Sequence, residues 1–440
     1  MPHKKPFSGI ALYINKTRHF SPNARRVLLY SAGLSLSFGV FQFLFNFYVL
    51  SLGYNEGFVG TIQTTSSLAA IAMALPAAYI ARRYSQKSLM VVTAIVTSLS
   101  FLGSVLLPFG PALLLFRVLA AVALSLREVA VAPFLMQNTT DDDRQWVFSF
   151  NFGIATMAMF MGSLIGGWLP TLFANWLQVD PTSTVAYQFA LGGMLILSLF
   201  AVWPITGIRT TTPNTDPRAP LPWALAWQYR GLLTRVLLPQ IIIGLGAGTM
   251  QPFMNIYFRK VYQQPDTTVA LVFAIGGLSM AVAQFLGPPV ADRIGKINTV
   301  IVSQALSIPF LILLGTGAAL VPAGLVSPGL WFGVAFIAYV FRLGLMNMSN
   351  PVYQTFILEH VPEDVQTLSV SLNAISFQFG WFVMPQVSGW LQVRFAPYGF
   401  VPVFAIVIFT YVTAILVEWF VFKVRRAVLE TPASIPAPAD

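Results

Sequence analysis

Apolar runs of about twenty residues, separated by short polar breaks, recur from position 25 to position 424. A helix rises about 1.5 Å per residue, so crossing the roughly 30 Å hydrocarbon core of a bilayer takes about 20 mostly apolar residues. The pattern predicts twelve such spans, over roughly 25–50, 57–80, 87–108, 111–136, 147–174, 186–206, 234–259, 268–290, 297–320, 328–356, 368–393 and 399–424. Ser21-Pro22 precedes the first run, a side-chain acceptor at the N-cap followed by proline at the first helical position. The longest polar break, 207–233, is rich in Pro, Thr and Arg and reads as a linker between two six-helix bundles, 25–206 and 234–424. Residues 1–24 are polar and basic, without the apolar core and small-residue cleavage site of a signal peptide. The end of the chain, 425–440, includes Thr-Pro-Ala-Ser-Ile-Pro-Ala-Pro-Ala-Asp and is expected to be disordered.

The two bundles repeat one another. Gly39, Gln42, Asn46 and Tyr48 of span 1 recur 209 residues later as Gly248, Gln251, Asn255 and Tyr257 of span 7. Ser149, Asn151, Gly167, Trp168 and Leu169 of span 5 recur 222 residues later as Ser371, Asn373, Gly389, Trp390 and Leu391 of span 11. Phe116-Arg117 in span 4 is answered by Phe341-Arg342 in span 10. Three matches in the same order indicate duplication of a six-helix unit.

Composition turns this pattern into a fold class, an all-α membrane protein. The 440 residues are 56% hydrophobic and 9% charged, with a mean hydropathy of +0.72, whereas soluble domains carry about 25% charged residues. The net charge of +10 need not signal nucleic acid. With both termini placed in the cytoplasm, nineteen of the 25 Lys and Arg fall on the inside; only Arg259, Lys260 and Arg394 fall outside, and three lie within spans. That asymmetry fits the positive-inside rule and a multi-pass protein of the cell (inner or plasma) membrane, with 1–24 and 207–233 cytoplasmic. There is no cysteine, and His3, His19 and His360 are not spaced as metal ligands, so neither a metal nor another cofactor is expected. Arg293-Ile-Gly295-Lys296 looks like the end of a phosphate loop, but Val290 and Ile297 stand where that motif needs Gly and Ser/Thr. With no ATP site and no nucleophile–base constellation, an enzyme is not expected, and uphill transport would be secondary.

The break between spans 8 and 9 reads Gly287-Pro-Pro-Val-Ala-Asp292-Arg293-Ile-Gly295-Lys296. It resembles the cytoplasmic loop signature of the major facilitator superfamily, G-x-x-x-(A)-D-R-x-G-K/R. The break between spans 2 and 3 is a degraded copy in which Arg82 replaces the acid and Ser85 the second glycine. Leu113-Leu-Leu-Phe-Arg117-Val-Leu-Ala-Ala121 in span 4 and Gly162-Ser163-Leu-Ile-Gly166-Gly167 in span 5 resemble, in part, motifs of the drug:proton antiporter branch. Ala120, Ala121 and Ser163 depart from them. The superfamily resemblance implies helices 1, 4, 7 and 10 around a substrate cavity, two halves that rock about a midplane site, and a monomer.

Gln42 and Asn46 are four apart on one face of span 1, as are Gln251 and Asn255 in span 7. These pairs either face substrate or hydrogen-bond between helices, as buried polar residues in membranes do. Arg117 and Arg342 are charges inside spans, a mark of function by default; the alternative is a structural role within each half, which their symmetry favours. Phe38, Phe41 and Phe45 line an apolar pocket or simply pack. Glu128 is the acid deepest in a span and breaks the repeat, because its helix-10 counterpart is Tyr353. It lies eleven positions from Arg117, roughly 16 Å along the axis, and neighbouring Arg127 points about 100° away. Glu128 is the candidate proton-coupling acid, with a gate salt bridge to another helix as the alternative. The resemblance gives Asp292, Arg293, Gly295 and Arg83 a conformational gate role. Asp292 would act at the N-terminus of helix 5, Arg293 would face Glu359, Glu363 or Asp364, and Arg83 would face Asp141–Asp143.

These features point to alternating-access transport of a small amphipathic or hydrophobic compound, with proton-coupled efflux and the bilayer as the other partner. Helix 1 lacks the acid of cation-exporting relatives, which disfavours cationic substrates. The rivals are an uncoupled facilitator or sugar/metabolite permease, and a non-transporting receptor or lipid scramblase on the same fold.

Overall fold

The computed structural model describes residues 20–137, 141–208, 227–361 and 363–424, and all regular structure among them is helical. The expected terminal segment 1–19, most of the linker (209–226) and the tail 425–440 lie outside the described residues. The helices are α1 Pro22–Ser51, α2 Glu56–Arg83, α3 Gln86–Leu106, α4 Gly110–Gln137, α5 Asp141–Leu177 and α6 Thr184–Phe200, the last followed by a short turn Trp203–Thr206. The second set is α7a Arg230–Met250, α7b Met254–Tyr262, α8 Asp266–Ile294, α9 Lys296–Leu320, α10 Pro328–His360, α11 Glu363–Arg394 and α12 Phe400–Trp419, which runs into a π turn, Phe420–Val424. Among the described residues, nine helical stretches are long and apolar enough to cross a membrane: α1, α3, α5 from Gly153, α6 with its following turn, α7, α8, α9, α10 and α12 with the π turn. Large apolar side chains such as Trp168, Trp176, Phe285 and Leu330 stand exposed, as lipid-facing surfaces do.

Local chemistry fixes several ends. Ser21 accepts a hydrogen bond at Oγ from the Ala24 amide (3.1 Å) and Pro22 opens α1, as the Ser-Pro pair predicts. The short turn after α6 ends against two cations. Lys87 Nζ donates to the carbonyls of Thr206 (2.8 Å) and Ile208 (2.6 Å), and Arg26 Nη1 donates to that of Gly207 (2.6 Å). Positive charge there satisfies orphan carbonyls and complements the negative end of the helix dipole.

The chain divides into two compact units, one of residues 1–48 and 72–219, the other of 49–71 and 220–440. The first part of α2 therefore packs with the second unit. There Thr61 Oγ1 donates to Gln386 Oε1 of α11 (2.8 Å), Glu56 pairs with Lys260, and Arg259 Nε lies 3.5 Å from Asp266 Oδ1.

Each unit repeats the other's internal joints. Tyr48 Oη donates to the Val105 carbonyl (2.8 Å), tying α1 to α3, and Tyr257 Oη donates to the Leu314 carbonyl (2.6 Å), tying α7b to α9. Gly39 lies against the backbone of Met159 on α5, and Gly248 against Gly380 and Trp381 on α11, so close that a Cβ at either glycine would strike a main-chain carbonyl. Val27 and Val236 occupy matching places in the two apolar clusters at one end of each unit. The first cluster includes Tyr30, Met90 and Phe134; the second includes Val300, Tyr353 and Phe422.

One expected helix is broken. The seventh span reads as continuous in hydropathy, but Gln251–Phe253 forms a 3-10 turn between α7a and α7b. Pro252 supplies no amide hydrogen to the α-helical ladder; Gln251 keeps α dihedrals (φ −58°, ψ −41°), while Met250 (φ −109°) and Phe253 (φ −112°, ψ 5°) depart from them on either side.

Candidate functional site

The break redefines the amide candidates. Gln42, on unbroken α1, is exposed and Asn46, one turn on, is half-buried. Gln251 lies half-buried in the 3-10 turn, and Asn255 is buried in the first turn of α7b, where its Oδ1 accepts from the Ile256 amide (2.9 Å). The second pair thus departs from a simple i, i+4 helical face, and Asn255 supports the backbone at the break. Of the six amide and arginine candidates, Gln42 is the one left exposed.

Arg117 is buried on α4, with its guanidinium carbon 5.4, 5.1 and 5.6 Å from the ring centres of Phe41, Phe45 and Phe101. The Phe41 and Phe101 rings stack at 3.9 Å, so the cation sits among aromatic faces from α1 and α3, and its Nε has no hydrogen-bond partner. Attraction to ring quadrupoles, about 2 kcal/mol when desolvated, offsets part of the cost of burying the charge. Arg342 on α10 is 1% exposed and donates from Nη2 to Tyr411 Oη of α12 at 3.0 Å. The two arginines match in sequence position but have different partners, each within its own unit.

Glu128 on α4 is exposed and makes no hydrogen bond or ion pair with the described residues; Arg127 beside it is the cation that acts on it electrostatically. Its distance from the Arg117 cage follows from the eleven-residue separation. Tyr353, its counterpart, is buried and donates to the Val236 carbonyl (2.8 Å), so the repeat carries a structural hydroxyl on α10 where α4 carries an acid.

A second acid lies within an apolar span. Glu418 on α12 is fully buried; Gln304 Nε2 donates to its Oε1 at 3.3 Å, while Oε2 has no partner. Its signal was a lone acid within the apolar stretch 399–424.

At the signature turn, Gly295 has φ +87°, and its amide donates to the Ala291 carbonyl (2.8 Å) between α8 and α9. A side chain is disfavoured in that conformation, which accounts for glycine there. Asp292 and Arg293 are exposed at the end of α8. In the degraded copy Ser85 has φ −63° and accepts from the Ser88 amide (3.2 Å) as the N-cap of α3, a conformation open to serine. Arg83 is exposed. The side chains of Arg82 and of the expected partners Asp141–Asp143, Glu359, Glu363 and Asp364 lie outside the described set. Among the described residues no His, Asp or Glu cluster is arranged to hold a metal ion.

Comparison with known proteins gives this architecture a family. By sequence, no curated protein matches the chain. Among solved structures, the nucleoside transporter NupG (D323A mutant) is similar with a TM-score of 0.74 at 13% identity, covering 91% of this chain and 100% of that one. A bacterial homologue of the human lysosomal transporter Spinster, inward-facing and unoccupied, is similar with a TM-score of 0.72 at 14% identity, covering 94% of this chain and 99% of the other. A D-xylose–proton symporter has a TM-score of 0.66 at 14% identity, over 91% and 97% of the two chains. At these identities the likeness is one of fold. The Major Facilitator Superfamily model matches residues 27–385 and again 236–438, the second match starting 209 residues after the first, at the spacing of the internal repeat. The chain is a multi-pass membrane protein of the transporter class, not an enzyme, and belongs to the Major Facilitator Superfamily.

Proposed function

We propose that this protein is a secondary transporter that exports a small amphipathic or hydrophobic organic compound by alternating access, coupled to protons through Glu128. The supporting observation is Glu128 itself: an acid in the middle of α4, exposed, with no hydrogen bond or ion pair among the described residues. An unpaired carboxylate at membrane depth is costly, and such residues are ordinarily kept for ion or proton handling. Gln42 and Asn46 are the leading substrate contacts of the first half, with Gln251, Asn255, Arg117 and Arg342 shaping or supporting the binding region. Asp292, Arg293, Gly295 and Arg83 act on conformation rather than on substrate. The reading includes twelve spans in two six-helix bundles, 25–206 and 234–424, with 1–24, the linker 207–233 and the tail 425–440 in the cytoplasm. It places a monomer in the cell membrane.

The test uses purified protein in liposomes, with substrate flux and proton movement recorded across a panel of amphipathic anions, neutral compounds and cations. A transported compound is expected to move with a proton, and Glu128→Gln is expected to lose the proton-coupled part and its pH dependence while retaining exchange. If the variant matches wild type in rate and pH profile, Glu128 is structural and an uncoupled facilitator becomes the account. If no compound alternates access, the receptor or scramblase reading replaces both.

A further inference from the structure

Inside the first unit, α1, α3, α4 and α6 line a small, partly open cavity of about 20 Å³. Its polar lining is Ser37, Thr97, Ser98, Ser198 and Arg127, beside apolar side chains that include Phe38 and Phe101. The volume admits one particle of about water or halide size and no organic molecule.

The serine protons have acceptors of their own. Ser37 Oγ donates to the Gly33 carbonyl (3.2 Å), and Ser198 Oγ donates to the Leu195 carbonyl (2.6 Å) and lies 2.7 Å from Ser98 Oγ. Thr97 is 8% exposed, and its hydroxyl has no hydrogen-bond partner. Arg127 makes no ion pair or hydrogen bond with the described residues. The titratable groups that feel its charge are Glu128, about 100° around α4 and exposed, and Tyr30, whose hydroxyl donates to the Met90 carbonyl. The cavity therefore joins a half-buried guanidinium that makes no ion pair or hydrogen bond with the described residues to a buried hydroxyl donor that is costly to leave unsatisfied.

We propose that this cavity is a binding site for a single monatomic anion of chloride size, held by the Arg127 guanidinium and the Thr97 hydroxyl within the first unit. A water molecule would satisfy Thr97 but bring no negative charge to the guanidinium, whose charge neighbour Glu128 lies outside the cavity lining. The second unit lacks the arrangement: Gly246 and Val352 stand 209 and 225 residues after Ser37 and Arg127, the offsets of the repeat, and the Tyr411 ring lies against Gly246. Nothing in the site depends on which compound is carried.

The test is the thermal unfolding midpoint of the purified full chain in sodium chloride, sodium bromide and sodium gluconate at equal ionic strength, with crystals grown in bromide. Chloride and bromide are expected to raise the midpoint saturably where gluconate does not, with a bromide anomalous peak beside Thr97 Oγ1. Thr97→Val preserves shape and is expected to weaken the half-saturating chloride concentration about tenfold, the cost of one hydrogen bond to a charged group. Arg127→Gln is expected to abolish the response. Equal midpoints in chloride and gluconate overturn the proposal, as does a chloride response unchanged in Thr97→Val. If Arg127→Gln does not fold, Thr97→Val and the bromide peak decide, and absence of that peak means the cavity holds water.

Discussion

Removing the Tyr411 hydroxyl leaves Nη2 of Arg342 without its hydrogen-bond acceptor in a place where the arginine is 1% exposed. Tyr411→Phe is therefore expected to lower unfolding stability by about 1–3 kcal/mol, the cost of a buried charged donor left unsatisfied. Chemical denaturation in detergent measures it, and a loss within error would mean that water or a carbonyl replaces the hydroxyl. Arg117 offers no such single handle, since three rings share its charge. Both arginines were legible in the sequence, as charges in apolar runs at matching places in the repeat. Their partners were not, because Phe101 and Tyr411 sit on other helices and no local pattern links them. Phe41 and Phe45 carried the weaker signal of aromatic spacing along α1. Glu128 and Arg127 show the same limit: adjacency in sequence placed them on different faces, but only the fold shows Arg127 lining a small cavity and Glu128 exposed.

At the turns joining α2 to α3 and α8 to α9, one ancestral signature has taken two backbone solutions. Gly295→Ala forces a side chain into φ +87°, ψ 149° and is expected to cost about 1–3 kcal/mol. Ser85→Ala removes the cap of α3 and is expected to cost about 1 kcal/mol. Denaturation of the two variants side by side checks the assignment, and a harmless Gly295→Ala would mean that the turn relaxes to a negative φ. Helix positions followed the hydropathy pattern because about twenty apolar residues leave a chain in lipid few options besides a helix. The interruption of α7 escaped that pattern, since Pro252 sits among apolar neighbours and hydropathy does not register a missing amide hydrogen. The ion pair of Glu56 with Lys260 escaped as well, because its two ends lie 204 residues apart.

For the molecule as a whole, the charge asymmetry predicts an orientation that the absence of cysteine makes simple to measure. Arg394→Cys is expected to react with an impermeant thiol reagent in intact cells, and Arg293→Cys only after the membrane is opened; both positions are exposed. The reverse labelling would invert the proposed topology. The duplication was readable from spacing alone, whereas the assignment of residues 49–71 to the second unit was not, since long-range packing decides it. The paired tyrosine joints carry that duplication further back. Tyr48 reaches Val105 and Tyr257 reaches Leu314 across the same interval of 57 residues, one first-to-third-helix bond present in both copies. Parsimony places such a bond in the single six-helix ancestor, before the copies were fused. That ancestor already had its first and third helices fastened, and the contrasts of Glu128 with Tyr353, of Arg127 with Val352 and of unbroken α1 with broken α7 arose after its copies began to diverge on that shared bracing.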